Sequence, residues 1–106
     1  MNVVSRTVAR GSMVYVQAAA SEPRGDIRSQ TWLVLKHIDR LLAGSGFDKS
    51  KILTAEVLLA DMSLREVHDT AWRDWINGQH SPLLTCRAAA LAHPDALVEI
   101  TVTAAR

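Results

Sequence analysis

Cysteine is nearly absent from this chain: Cys86 stands alone among 106 residues. A lone cysteine makes no intrachain disulfide, and the setting it predicts is a reducing one, the cytoplasm. An excess of charge of one sign is missing too. Twelve basic and eleven acidic residues leave a formal +1, spread along the chain without a block. That gives no electrostatic footprint for nucleic acid or an anionic membrane, and neither is expected as a partner. No apolar run approaches the roughly 20 residues of a membrane span. Residues 1–20 hold no charged leader with an apolar core, so no signal peptide is expected. Aromatic residues make up only 5%. Trp32, Trp72 and Trp75 raise the question of base stacking, but without a basic groove Trp72 and Trp75 read as helix packing. His37, His68, His80 and His93 lack metal-ligand spacing with carboxylates or thiols, and no metal is expected.

What remains is an ordinary globular balance, 48% hydrophobic and 22% charged, which argues against disorder. The length suits one domain over residues 1–106, without repeats or low-complexity segments. A chain this short buries only about two-thirds of its unfolded surface, so association with other copies would add needed burial.

Residues 2–9 and 13–19 are β-branched or aromatic stretches around Arg10-Gly11-Ser12, a hairpin signal, and Glu22-Pro23-Arg24-Gly25 reads as a loop. From Asp26 the period changes. Ile27, Thr31, Val34, Leu35, Ile38, Leu41 and Leu42 form one apolar helical stripe, capped by Asp26 and stopped at Gly44-Ser45-Gly46. Lys51 to Ala60 reads as a strand, with Glu56 needing water or a partner. Ser63 and Glu66 have capping-box spacing for a second helix, whose predicted stripe is Leu64, Val67, Ala71, Trp72 and Trp75, ending at Asn77-Gly78. After the Gln79–Pro82 loop, strands are expected over Leu83–Leu91 and Leu97–Ala104, with His93-Pro94-Asp95 as the turn between them.

The order β-β-α-β-α-β-β describes an α+β two-layer domain, two helices covering one face of an antiparallel or mixed sheet. The opposite face is expected to carry small, mildly polar residues such as Cys86, Ala88 and Thr101. Such a face is too apolar to be left to water alone, and other subunits are its natural cover.

Three stretches in this order resemble the RidA (YjgF, or L-PSP endoribonuclease) family. The first runs from Asp26 through Gln30-Thr31 and His37-Ile38-Asp39 to Leu41-Leu42, like the family's first helix. The second, Ile52 to Met62, ends in Leu59-Ala60-Asp61-Met62, like the family's strand and turn. The third runs from His80-Ser81-Pro82 through Cys86 to Val98-Glu99-Ile100, like the family's last two strands. Ala71-Trp72-Arg73-Asp74-Trp75 followed by Gly78-Gln79-His80-Ser81-Pro82 looks most like a short YoaB-like branch. The family's usual Gly-Pro-Tyr-Ser-Gln element, which helps close the pocket, is not found at the N-terminus.

The resemblance implies a chorismate-mutase-like fold and a homotrimer with three clefts between subunits. Active members hydrolyse reactive imines and enamines there to a keto acid and ammonia, with no metal or organic cofactor. They use an arginine two residues after the proline of the third stretch to grip the substrate carboxylate. Here Pro82 is followed by Leu83 and Leu84, so leucine stands at the arginine's place. Cys86 and Glu99 fall on the family's cysteine and carboxylate without a gap. A lost charge-assisted pair costs roughly 1.5–3 kcal/mol, or about one to two orders of magnitude in binding. Little or no activity on carboxylated imines is therefore expected. Arg87 offers no replacement, since strand alternation turns it away from Leu84 and Cys86, and nothing supports Arg24 or Arg28 in that role.

By the same resemblance Glu99 would position the attacking water, while its residue-level reading is a carboxylate pairing at a subunit interface. Tyr15, Gln17, Leu84, Thr85 and Cys86 are the candidate ligand-binding residues. Tyr15 and Gln17 share one side of their strand and read equally as ordinary strand residues. Cys86 reads as a small buried side chain lining the cleft rather than a nucleophile. Asp69 replaces a family asparagine and reads as a solvated helix charge. The expected function is binding of a small metabolite, neutral or apolar, without standard deaminase chemistry. Two alternatives stand beside it: an enamine/imine deaminase with another substrate anchor, and a non-catalytic interaction or RNA-associated protein.

Overall fold

The computed structural model describes residues 3–21, 25–78 and 82–106. Asn2, the Glu22–Arg24 part of the first loop and Gln79–Ser81 lie outside them. The elements are β1 (Val3–Arg10), β2 (Met13–Ala20), α1 (Ile27–Gly44), β3 (Ile52–Leu59), α2 (Arg65–Ile76), β4 (Leu83–Ala88) and β5 (Val98–Ala105). Short 3-10 turns at Lys49–Lys51 and Met62–Leu64 lead into β3 and α2. The element order is the expected one.

Arg10 pairs with Met13, which leaves Gly11-Ser12 as a two-residue hairpin loop. Gly11 has φ 58°, the left-handed first position such a turn demands. The five strands form one mixed sheet, ordered β1-β2-β5-β3-β4. β2 and β3 both run antiparallel to β5, whereas β3 and β4 are parallel. Two parallel relations need two crossovers, and α1 and α2 supply them on the same face of the sheet. The core lies between these layers: Val14, Val16 and Ala18 of β2 and Val98, Ile100 and Val102 of β5 meet Val34, Leu35, Ile38 and Leu42 of α1.

The α1 stripe is as the periodicity predicts, with Asp26 accepting from the Ser29 N–H at 2.9 Å; Leu41 is half-buried, and Gln30 joins the buried set. The second helix differs from expectation. Asp61, not Ser63, is the capping side chain, accepting from the Ser63 N–H at 2.8 Å above the 3-10 turn. Ser63 lies inside that turn, so α2 begins at Arg65 with no side-chain cap and no capping box. The buried stripe is His68, Ala71, Trp72, Trp75 and Ile76, while Val67 is 43% exposed. This set keeps the i, i+3, i+4, i+7, i+8 spacing of a single face; it includes a histidine that a count of apolar residues passes over.

Trp72 and Trp75 pack as expected, ring centroids 5.2 Å apart. The Trp75 indole N–H donates to Asp39 Oδ2 at 2.8 Å, tying α2 to α1. Two strand readings are corrected. Lys51 belongs to a 3-10 turn rather than to β3. β4 stops at Ala88 instead of reaching Leu91, because its partner β3 ends at Leu59, whose carbonyl takes the last bond from Ala89 N–H. Among the described residues no helix is long and apolar enough to cross a membrane.

The composition of the uncovered face is also corrected. Leu84 pairs with Ala55, Cys86 with Val57 and Ala88 with Leu59, and those β3 partners are buried beneath the helices. Cys86 and Ala88 therefore stand on the helix-covered side, and of the three expected residues only Thr101 faces away. The parallel register between β3 and β4 decides this, and strand alternation alone leaves it open.

Candidate functional site

On β5, inward Val98, Ile100 and Val102 alternate with half-buried Glu99, Thr101 and Thr103 on the uncovered face. Pairing carries that face across the sheet. Val4 opposes Ala19 and Ala19 opposes Glu99, while Arg6 opposes Gln17 and Gln17 opposes Thr101. Further out, Thr101 opposes Glu56 and Glu56 opposes Thr85. Tyr15, Gln17, Thr85 and Glu99 thus share the uncovered face, together with Arg6.

At one end of this face the chain from Leu91 to Ala96 folds over the strand ends of the β2–β5 pair, beside β1, and closes a concavity of about 590 Å³. Arg6, Gln17 and Glu99 are among the polar residues lining it, and Val4, Ala19, Leu91 and Ala96 are apolar walls. His93 stands at its side. The Asp95 N–H donates to His93 Nδ1 at 3.3 Å, so a neutral His93 carries its proton on Nε2. The Leu91–Ala96 wall is held from below by Gln30, buried in α1. Its amide donates to the Asp95 carbonyl at 3.2 Å and accepts from the Leu97 N–H at 2.8 Å. Arg6 and Gln17 extend into a smaller depression of about 200 Å³ that includes Tyr15. Thr85 lies apart, in a third depression with Thr54, Glu56 and Thr103.

Leu84 and Cys86 are not brought to this concavity by their own chain. Both pack against the core from the helix side, at the β4 edge. Burial pushes the Cys86 thiol up from its ordinary range; Arg65 works weakly against it and Asp69 with it. A thiol held protonated is a poor nucleophile, consistent with a lining residue. Arg87 faces away from Leu84 and Cys86, as alternation predicts, and lies 3.6 Å from Glu56, the partner that Glu56 needed. Asp69 accepts from Arg65 at 3.4 Å and contacts His68 Nδ1 at 2.9 Å, so it is a paired helix carboxylate.

Sequence reasoning passed over Arg6 and His93. Arg6 sits in an exposed strand with no motif around it, yet the hairpin alone signals its place: counting back from Gly11-Ser12 sets it opposite Gln17. His93 was legible only as part of a turn, because its position depends on how the 89–97 segment folds over the sheet.

The comparisons agree with this architecture. The family model described as Endoribonuclease L-PSP matches residues 3–106, β1 included. A RutC family protein of Haemophilus ducreyi is 42% identical over 80 residues, 76% of this chain and 68% of that protein. The RutC family protein YoaB of Escherichia coli is 32% identical over 101 residues, 95% of this chain and 89% of that one. A crystal structure of a YjgF family member from Neisseria meningitidis superposes with a TM-score of 0.86 at 31% identity, covering 94% of this chain and 84% of the other. With its sequence matched from β1 to β5 and its sheet and helices arranged as in these relatives, the chain belongs to the endoribonuclease L-PSP family, which includes RutC and YjgF proteins.

Proposed function

We propose that the chain works as a homotrimer that binds a small metabolite in clefts between its subunits, without the standard 2-aminoacrylate deaminase activity. One observation carries the reading. Glu99 and the Leu84–Cys86 pair lie on opposite faces of one sheet. They can line a common cleft only if two chains contribute, Glu99 with its concavity from one and the β4 edge from its neighbour. In such a cleft Leu84 presents an alkyl chain where a carboxylate-binding guanidinium would be needed, and a buried anion facing it would go unpaired. Cys86 accompanies Leu84 on the same side of β4, Thr85 borders the cleft from the other side of that strand, and Tyr15 and Gln17 accompany Glu99. The lone Cys86 suits a cytoplasmic setting.

The test is ammonia release from freshly generated 2-aminoacrylate by the wild type and by Leu84→Arg. The expected result is a silent wild type and a variant with activity gained by roughly one to two orders of magnitude or more. An active wild type would show that Leu84 is not the deciding position.

A further inference from the structure

His93 is held in a tight turn. Its carbonyl accepts from the Ala96 N–H at 3.0 Å, its Nδ1 accepts from the Asp95 N–H at 3.3 Å, and Pro94 follows it in the chain. A residue before proline has little backbone freedom, and Gln30 clamps the same turn from below. With Nδ1 occupied, the half-buried ring keeps an Nε2–H donor at the side of the concavity, without a hydrogen-bond partner among the described residues. Glu99 lines the same concavity, half-buried and without an ion pair among the described residues. The site therefore offers a donor on its wall and an acceptor on its floor. Arg6 does not tip the balance toward anions. It stands two strands and two positions from Glu99 on the same face, a span that their extended side chains bridge. An anion drawn to Arg6 meets Glu99, and a cation drawn to Glu99 meets Arg6. Val4, Ala19 and Ala96 are apolar walls, and the volume of about 590 Å³ lies within the range of small-molecule sites.

We propose that this site selects small neutral amides and that His93 is the residue that reads the amide carbonyl. The His93 Nε2–H donates to the carbonyl oxygen, the amide N–H donates to the Glu99 carboxylate, and the alkyl part lies against Val4, Ala19 and Ala96. The inference rests on the reading that the concavity at Glu99 is the ligand site, and it names the chemical class of that ligand. An amide carries an acceptor and a donor in one plane with no net charge, so it satisfies both groups at once. A carboxylate offers acceptors alone and sets a like charge beside Glu99. An ammonium offers donors alone and sets them against the His93 donor. Leaving such a group unpaired in a closed site costs more than a made bond returns, which turns pairing into discrimination. Because the turn holds the ring before any ligand arrives, little ordering of His93 is needed on binding.

The test is a titration of the ¹⁵N-labelled full chain with butyramide, N,N-dimethylbutyramide, butyrate and butylamine, following backbone amides by NMR. Butyramide should shift the amides around Gln17, His93 and Glu99. N,N-dimethylbutyramide, which keeps the carbonyl but lacks the N–H, should bind more weakly, and so should both charged probes. His93→Ala, folded by its unchanged spectrum elsewhere, should weaken butyramide roughly three- to tenfold, with partial recovery in His93→Gln, whose side chain restores an N–H donor. Ala92→Trp, at an exposed position lining the concavity, should block binding. If His93→Ala binds butyramide as tightly as the wild type while Ala92→Trp abolishes binding, the concavity is the site but His93 does not read its ligand, and the proposal is overturned. Butyrate or butylamine binding as tightly as butyramide would overturn it as well, leaving the site in place with another ligand class. If no probe moves the wild-type amides, or Ala92→Trp changes nothing, the ligand-site reading falls and takes the proposal with it.

Discussion

His68 carries an imidazole into the fully buried face of α2, stacked on Trp72, with a partner for only one of its nitrogens. Nδ1 meets Asp69, and Nε2 has no hydrogen-bond partner among the described residues. Burial pulls its pKa below the ordinary 6.5; Asp69 resists this, and Arg65 adds a small push in the same direction as burial. A proton on Nε2 would leave a buried cationic N–H without an acceptor. The sign follows from a folded pKa lying below the unfolded one. Between those two values the unfolded chain binds more protons, so stability is full above about 6.5 and falls as pH drops toward the folded pKa. Urea midpoints measured at pH 7.5 and pH 5 should therefore diverge more for the wild type than for His68→Leu. Equal pH slopes for the two proteins would refute this account. The histidine's burial was not legible beforehand, because a polar residue type gives no sign of a stripe that the neighbouring Val67 fits by composition alone.

At the scale of elements, α1 was readable except for its buried Gln30, and α2 only in part. Six apolar residues and Thr31 over about four turns fix the phase of α1, and Asp26 fixes its start. In α2 the 3-10 turn at Met62–Leu64 moves the N-cap from Ser63 to Leu64, a shift of one residue with no counterpart in local spacing. The faces of β4 were misread for a related reason. Its neighbour is β3, reached across a helix, and a non-local register decides which side Cys86 takes. Tryptophan packing was legible, but the bond from Trp75 to Asp39, 36 residues away, was not. That bond yields a prediction. Trp75→Phe keeps most of the ring burial but strands a part-buried carboxylate, and should cost about 2 kcal/mol by chemical denaturation. Trp72→Phe, whose indole N–H has no described hydrogen-bond partner, should cost less. A reversed order would show that ring volume rather than the α1–α2 tie governs this contact.

For the whole molecule the sheet face away from the helices is the unfinished surface. Leu83 is 69% exposed and Val4 64%, with Val8 and Tyr15 also open on the same side. They alternate with Gln17, Thr85, Thr101 and Glu56 rather than forming a continuous apolar sheet. Such a mixture suits an interface between copies, where side-chain hydroxyls and amides find partners as the apolar residues leave water. A net charge of +1 puts little repulsion in the way of association. Light scattering at micromolar concentration should accordingly give three chain masses; a single chain mass would sink the trimer and the shared cleft together. Leu83→Asp, placing a charge on this face outside the concavity, should shift the equilibrium toward single chains.

The Gln30 side chain, bonded at one end to Asp95 and at the other to Leu97, makes the wall of the concavity answer to the helix layer as well as to the sheet, which holds its two ends through the Ala89–Leu59 and Ala60–Leu97 backbone bonds. The wall therefore has a support that the floor lacks. Any rocking of α1 on the sheet, of whatever origin, would change the width of the cavity's mouth while leaving the spacing of Arg6, Gln17 and Glu99 unaltered. A ligand's entry and its grip on the floor would then be tunable by different mutations, entry from the far side of the molecule.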